Sequence, residues 1–269
     1  MDGKTLYAST VSSVYAWPYD TGSVSTRRTI IDGMSNDDHT TRTLLASRVA
    51  KNHLIVSRGS DENFDTDALD LDSGVSQIRI FDLGSLEDDE TFDFTSEGRV
   101  LGWGLRNAVG VDEDPVSGNI YSVETSVDEV TRNGMDIGRN NPGEELNFHG
   151  RADEGGDVGN YGYPYCYPIW DTDVPDNEDL RVGDVFSIMQ NETFDDETCQ
   201  EEYVPPRLVF EAHTSPLALL FAEDGETLYI SFRGSCKFPI LPPFTLPCHP
   251  PRTTEFRRTE ERANWSSRP

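Results

Sequence analysis

Four short runs share one form, an aromatic or aliphatic strand that ends in small residues: Leu6-Tyr7-Ala8-Ser9, Leu54-Ile55-Val56-Ser57, Ile120-Tyr121-Ser122-Val123 and Leu228-Tyr229-Ile230-Ser231. Two of them follow an Asp-to-Gly turn, Asp114-Pro115-Val116-Ser117-Gly118 and Asp224-Gly225, built from residues that reverse a chain. No segment holds a 3.6-residue apolar period through three turns, so the chain is read as all-β. Repeated strands of this kind need partners that hide their edges. Small sheets repeated radially around a channel supply them, and the pattern predicts a β-propeller, with a β-sandwich as the alternative. The repeats are spaced irregularly, which places long insertions between blades, at Thr125 to Tyr165 and Trp170 to Arg207. Insertions on one propeller face are where sites are expected.

Composition narrows what such a fold is for. With 269 residues and 35% hydrophobic content the chain can build one large all-β domain or two small ones. Its 49 acidic residues against 22 basic ones give a formal charge of −27. That charge repels phosphate backbones and anionic lipid alike, so neither nucleic acid nor a membrane surface is an expected partner. No run reaches the roughly 18 apolar residues of a membrane span, and Met1-Asp2-Gly3-Lys4 lacks the apolar stretch of a signal peptide. The chain is therefore read as cytosolic or as lacking its true start.

The four cysteines, Cys166, Cys199, Cys236 and Cys248, form no CxxC pair, which argues against zinc or thiol redox chemistry. Cys166 and Cys199 bracket a polar, Asp-rich loop, Trp170 to Thr198, with little apolar material to fix its own shape. A disulfide between them is expected, with Cα atoms roughly 4.4 to 6.8 Å apart. The glycosylation sequon Asn191-Glu192-Thr193 lies in that loop, and a second, Asn264-Trp265-Ser266, lies near the end. A glycan on Asn191 and the disulfide together point to an extracellular protein. From Cys236 onward the character changes: seven prolines fall in 34 residues and the end turns basic. Residues 236–269 are expected to stay unpacked, as a disordered tail or the product of a misread gene end, with the folded domain over residues 1–235.

The residues that carry chemistry fall in short pieces, each with a bland reading beside the functional one. Asp37-Asp38-His39-Thr40-Thr41-Arg42 runs into a strand; a His beside carboxylates there is a general base or part of a plain surface loop. In Gly104-Leu105-Arg106-Asn107-Ala108-Val109-Gly110 the Arg offers a planar fork for carboxylates and the Asn an amide for quinone oxygens, unless the piece is only a tight turn. Glu124 to Glu129 and Asn141 to Asn147 supply carboxylates and turn carbonyls, hard oxygens that suit calcium, although an acidic loop in so acidic a chain is ordinarily just solvated. Asn160-Tyr161-Gly162-Tyr163-Pro164-Tyr165-Cys166 offers stacking surfaces for a flat cofactor or a sugar ring, or core packing. Ala212-His213-Thr214-Ser215-Pro216-Leu217 adds a second loop histidine.

Their order says more than any one of them. The succession His-x-x-Arg-Thr-Leu, Ser-Arg-Gly-Ser, Gly-Leu-Arg-Asn-Ala-Val-Gly, Asp-Glu, Asn-Pro-Gly-Glu-Glu-Leu-Asn, Asn-Tyr-Gly-Tyr-Pro-Tyr-Cys and His-Thr-Ser-Pro-Leu resembles the glucose/sorbosone dehydrogenase family. Within that family it resembles the fungal pyranose dehydrogenases that depend on pyrroloquinoline quinone (PQQ), over about Asp2 to Ser235. The resemblance implies a six-bladed β-propeller, incomplete here at both ends, whose complete relatives oxidise a sugar at its anomeric carbon with PQQ and Ca2+ at the channel mouth; an unclosed ring would leave this chain inactive. It implies that His39 takes the hydroxyl proton with Asp128 orienting it, and that Arg106, Asn107 and Arg233 hold PQQ. Arg42, Arg58 and His213 would be polar neighbours of the cofactor, and Val123 and Glu124 would contribute to the calcium site. Relatives carry further blade sequence before Met1 and beyond Ser235, including one more cofactor-binding Arg. An electron acceptor such as a haem domain would reoxidise the quinone. Two rivals stand beside this reading: a non-enzymatic propeller that binds carbohydrate or protein, and a calcium-dependent, lactonase-type six-bladed hydrolase. Neither needs the Arg106-Asn107 pair.

Overall fold

The structure is a computed structural model that describes residues 4–20, 23–24, 26–156, 158–177, 179–234, 251–258 and 265–267. Four mainly antiparallel sheets follow one another along the chain. The first joins Thr5–Ser9, Val14–Asp20 and Arg28–Asp32, and the second Leu44–Ala46, His53–Arg58, Gln77–Asp82 and Arg99–Trp103. The third joins Ala108–Glu113, Asn119–Glu124, Glu144–Arg151 and Leu208–Phe210, and the fourth Pro216–Phe221, Thr227–Phe232, Arg252–Arg258 and Trp265–Ser267. Within each sheet these strands pair in chain order, so each is a local meander. Gly118 N closes one turn on Asp114 O at 2.8 Å with φ +72°, a left-handed backbone that glycine adopts without strain. The similar runs singled out in the sequence fall in Thr5–Ser9 and in the second strand of each later sheet. The expected all-β class is met; among the described residues the one α-helix is Asp196–Glu202.

The sheets stack through apolar seams. Val14 and Ile31 of the first meet Leu54, Val56 and Phe81 of the second. Ile55, Ile78 and Leu101 of the second meet Ala108, Val111 and Ile120 of the third. Tyr121, Val123 and Leu146 of the third meet Leu219, Leu228 and Ile230 of the fourth. A strand covered on both faces is buried continuously rather than alternately, and in His53–Arg58 every residue after His53 is buried. Successive meanders stacked in this way are consistent with a β-propeller.

Both long insertions leave the third sheet. Residues 125–143 join its second and third strands and 152–207 its third and fourth, so they lie within one blade, not between blades as the spacing suggested. Spacing alone cannot separate the two cases, because either kind of loop departs from a strand end. Val127, Val130, Tyr163, Tyr167, Ile169 and Phe186 of the insertions form a further seam together with Ala68 and Val75. The expected disulfide is present: Cys166, on the strand Cys166–Pro168, bonds to Cys199 in the helix, with Cα atoms 5.6 Å apart.

The expectation that residues 236–269 would stay unpacked is corrected for part of that range. Arg252–Arg258 pairs antiparallel with Thr227–Phe232, setting Phe256 opposite Leu228, and Trp265–Ser267 extends the sheet. Phe256 is buried against Phe210, ring centroids 5.5 Å apart, and Arg258 reaches Asp114 Oδ2 at 2.5 Å. The proline-dense stretch ends at Pro251, so the segment after it keeps its ladder donors, and one inward aromatic suffices to seat it on an open strand edge. Cys236, Cys248 and the Asn264 sequon residue lie outside the described residues.

Candidate active site

Each sheet ends where the next begins, and hydrogen bonds between loops show that these junctions share one rim. Residues 33–43 lead into the second sheet, 104–107 into the third and 211–215 into the fourth. Ser60 N donates to Arg106 O at 2.8 Å, Thr125 N to Asn107 O at 3.2 Å, and Ser215 N to Glu144 Oε1 at 3.1 Å. Equivalent places in the repeat thus fall at one end of the stack. His39, Arg58, Arg106, Asn107, Asp128, His213 and Arg233, scattered along the chain, converge there.

His39 has a side chain only 10% exposed and a left-handed φ of +39°, and His213 has φ +62°; non-glycine residues are held in that region at a cost, and such outliers gather at functional sites. His39 Nδ1 lies 3.0 Å from Ser60 O and 2.9 Å from Ser60 Oγ, while Nε2 is 4.0 Å from Asp38 Oδ2. Burial, and after it the charge of Arg106, holds the imidazole below its usual range against the opposing pull of Asp38. A neutral imidazole is available as a base. Gly59 lets the loops meet: a Cβ there would come within 2.8 Å of His39 Cβ and 3.0 Å of Asn107 Oδ1. The half-buried Asn107 therefore stands beside His39.

The sequence paired Asp128 with His39; the structure brings Asp128 to His213, 2.9 Å between Oδ1 and Nδ1, and brings Ser60 to His39. His213 Nε2 is 2.6 Å from Gly138 O. Asn63 ties this pair to Arg106, since its Nδ2 donates to Asp128 O at 2.8 Å and its Oδ1 accepts from Asp128 N at 3.2 Å and Arg106 Nη2 at 2.8 Å.

The buried arginines brace the rim. Arg106 Nη1 donates to Thr125 O at 3.1 Å and Ser126 O at 2.8 Å. Arg42 Nη1 donates to His39 O at 2.8 Å and Thr41 O at 2.9 Å. Arg58 Nε donates to Asn36 Oδ1 at 3.0 Å and its Nη2 to Ser35 O at 3.1 Å. Burial and then the like charge of Arg58 push Arg42 down to about 10, a repulsion that an anion at the rim would relieve. Arg233 is exposed, its backbone N–H donating to Ser215 O at 2.9 Å.

Glu124, Glu144 and Glu145 are not the solvated acids their loops suggested. All three are buried strand residues, and Glu124 faces Glu145 across paired strands. Glu144 accepts from Ser126 N at 2.7 Å and from Ser215 N, yet burial outweighs these bonds and lifts it to about 7. Burial lifts Glu145, bonded by Asn147 Nδ2 at 2.9 Å, to about 8. Burial, and next the charge of Glu145, raises Glu124 well above the usual carboxylate range. Among the described residues Glu124 Oε2, Ser126 Oγ and Asn147 Oδ1 are buried without a hydrogen-bond partner. Val123 is fully buried within its sheet. No three His, Cys, Asp or Glu side chains among the described residues are grouped to hold a metal, so a cation near Glu124 would draw mainly on neutral oxygens. Ser60 and Asn63 carried no role in the sequence, because side-chain type alone does not say which distant loop a residue will meet.

A family model, described as TrAA12-like, matches residues 1–241. A PQQ-dependent sugar dehydrogenase from Hypocrea jecorina is 51% identical over 246 residues, covering 87% of this chain and 56% of that protein. The calcium structure of the Trichoderma reesei carbohydrate-active enzyme of family AA12 superposes with a TM-score of 0.87 at 45% identity, covering 96% of this chain and 64% of that one. The holo form of the PQQ domain of Coprinopsis cinerea pyranose dehydrogenase superposes with a TM-score of 0.86 at 33% identity, covering 99% of this chain and 65% of that one. The chain thus spans a little over half the length of the Hypocrea protein.

Proposed function

This chain belongs to the TrAA12-like family, and on that premise we propose that it forms a large part of a sugar dehydrogenase domain that uses PQQ and calcium. The complete domain would be a closed six-bladed propeller, the four sheets here being joined by others; the 64% coverage of the AA12 structure supports this. The observation that carries the reading is the convergence at one rim of His39, Asn107 and the arginines 58, 106 and 233. The rim fits an anionic, planar, oxygen-rich group, because buried guanidinia there repel one another and Asn107 adds an amide beside the candidate base. The partnerless oxygens of Glu124 and Ser126 suit a hard cation beside it.

When bound, PQQ would accept the hydride that leaves the sugar's anomeric carbon, with calcium polarising the quinone as a Lewis acid. The remaining work falls to the chain. His39 Nε2 takes the proton of the anomeric hydroxyl, and the Arg106 charge behind it helps keep the ring ready to do so. Asn107 and Arg233 would hold the cofactor's polar edges. Arg42 and Arg58 fix the loop that carries His39. His213, clasped between Asp128 and Gly138, keeps the 125–143 insertion against the rim. Electrons would pass on to a redox partner such as a haem domain. The protein would be extracellular and glycosylated on Asn191, an exposed residue whose Oδ1 accepts from Thr193 N and Phe194 N, both at 2.9 Å, so that the amide nitrogen is the end left for a glycan.

Titrating the protein, completed to the full domain of its relatives, with PQQ in excess calcium, while following the quinone absorption, tests the reading. The expected result is a saturable spectral change that an added aldose converts to that of the reduced cofactor, with His39→Gln binding PQQ but not reducing it. Absence of any saturable change would sink the proposal.

A further inference from the structure

Asp128 is paired with His213, and the residue that meets His39 Nδ1 is Ser60. We infer that Ser60 is the positioning residue that holds His39 as its Nδ1–H tautomer, leaving the Nε2 lone pair to accept a proton; this rests on the reading of His39 as the base. The Ser60 carbonyl beside Nδ1 carries the assignment. Ser60 O, 3.0 Å from Nδ1, is a carbonyl and only accepts. Ser60 Oγ, 2.9 Å from Nδ1, also lies 2.8 Å from Glu62 O, another group that only accepts. With Nδ1–H donating toward the Ser60 carbonyl, the hydroxyl hydrogen goes to Glu62 O, which also accepts from Tyr163 Oη at 3.1 Å, and Oγ meets His39 with a lone pair. Nδ1 then faces the carbonyl, an obligate acceptor, and a hydroxyl able to accept, the arrangement that keeps the ring proton on Nδ1. The other tautomer would set its lone pair against the Ser60 carbonyl. Nothing comparable among the described residues holds a proton on Nε2, since Asp38 Oδ2 at 4.0 Å lies beyond hydrogen-bond distance.

Ser60 is itself well anchored. It is fully buried, its N–H donates to Arg106 O at 2.8 Å, and its carbonyl also accepts from Asn36 Nδ2 at 3.0 Å. It therefore ties the loop that bears His39 to the loop that bears Arg106 and Asn107, with Gly59 providing the close approach. A residue so placed sets both the ring's proton and its direction.

Two-bond proton–nitrogen spectra of the histidine-labelled chain, with His39 assigned by its loss in His39→Gln, read the tautomer with no cofactor present. At neutral pH His39 should show a protonated Nδ1 and a bare Nε2. Ser60→Ala, which removes one acceptor and keeps the carbonyl, should raise the Nε2–H fraction about fivefold, the equivalent of one net hydrogen bond of about 1 kcal/mol. Ser60→Thr should restore the wild-type ratio. A protonated Nε2 in the wild-type chain, or a tautomer ratio unmoved by Ser60→Ala, would overturn the inference. The wild-type spectrum alone decides the first point should the alanine variant fail to fold. Failure of PQQ to bind would count against the proposed function while leaving the tautomer result intact, so the two fail separately.

Discussion

Replacing Glu145 by Gln should stabilise the protein in alkaline solution and leave it nearly unchanged in mild acid. Glu145 is buried, faces Glu124 across the sheet and is lifted from 4.5 to about 8 by burial. Between those values the folded chain keeps a proton that the unfolded chain has released, so stability falls as pH rises. The contribution of the protonated carboxyl is fully present below about pH 4.5 and is lost as pH passes about 8. At about 1.4 kcal/mol per tenfold change in proton affinity, a rise from 4.5 to about 8 makes the alkaline penalty on the order of 5 kcal/mol. Gln cannot ionise, and its amide oxygen still accepts from Asn147 Nδ2. Urea unfolding of both proteins, followed by circular dichroism, measures the difference. Near pH 5 the two should agree within about 1 kcal/mol, and near pH 9 the Gln variant should lead by a few kcal/mol. Equal gaps at both pH values, or a wild-type lead at the higher one, would refute the argument that burial governs this carboxyl.

Phe256→Ala should cost about 3 kcal/mol, because the ring is buried against Phe210 in the fourth sheet; a loss under about 1 kcal/mol by chemical denaturation would mean that Arg252–Arg258 does not pack. Cys199→Ser opens a cross-link that spans 33 positions. It should cost about 3 to 4 kcal/mol, with early proteolytic cleavage between Trp170 and Thr198 as the sign that the insertion has loosened. Acid should act through His149, which burial pushes down to about 3. Its neutral form contributes stability that is present above the ordinary histidine range and lost as pH falls toward 3, so His149→Gln should flatten the acid limb of the stability curve.

The all-β class, the repeating strand and its turns were legible in the sequence because they are local. Short strand runs and a glycine such as Gly118 act on the few residues around them, wherever the chain later goes. The loop closed by Cys166 and Cys199 was legible for a similar reason, since a polar segment that cannot order itself announces its need for a cross-link. The order of the motifs also named most residues that the rim collects. Their partners were not legible. Asp128 meets His213, a contact no motif marks, and Ser60, which no pattern marks either, meets His39. The same limit hid the fate of Glu124, Glu144 and Glu145, whose acidic neighbours suggest solvent, and of Arg252–Arg258, whose proline-rich approach suggests a loose tail. Residue type and spacing determine which local structures the chain can form. Which side chains touch, and which acids lose their water, is decided only when the sheets stack, because stacking brings together residues far apart in the chain and replaces solvent with protein around groups whose chemistry depends on it.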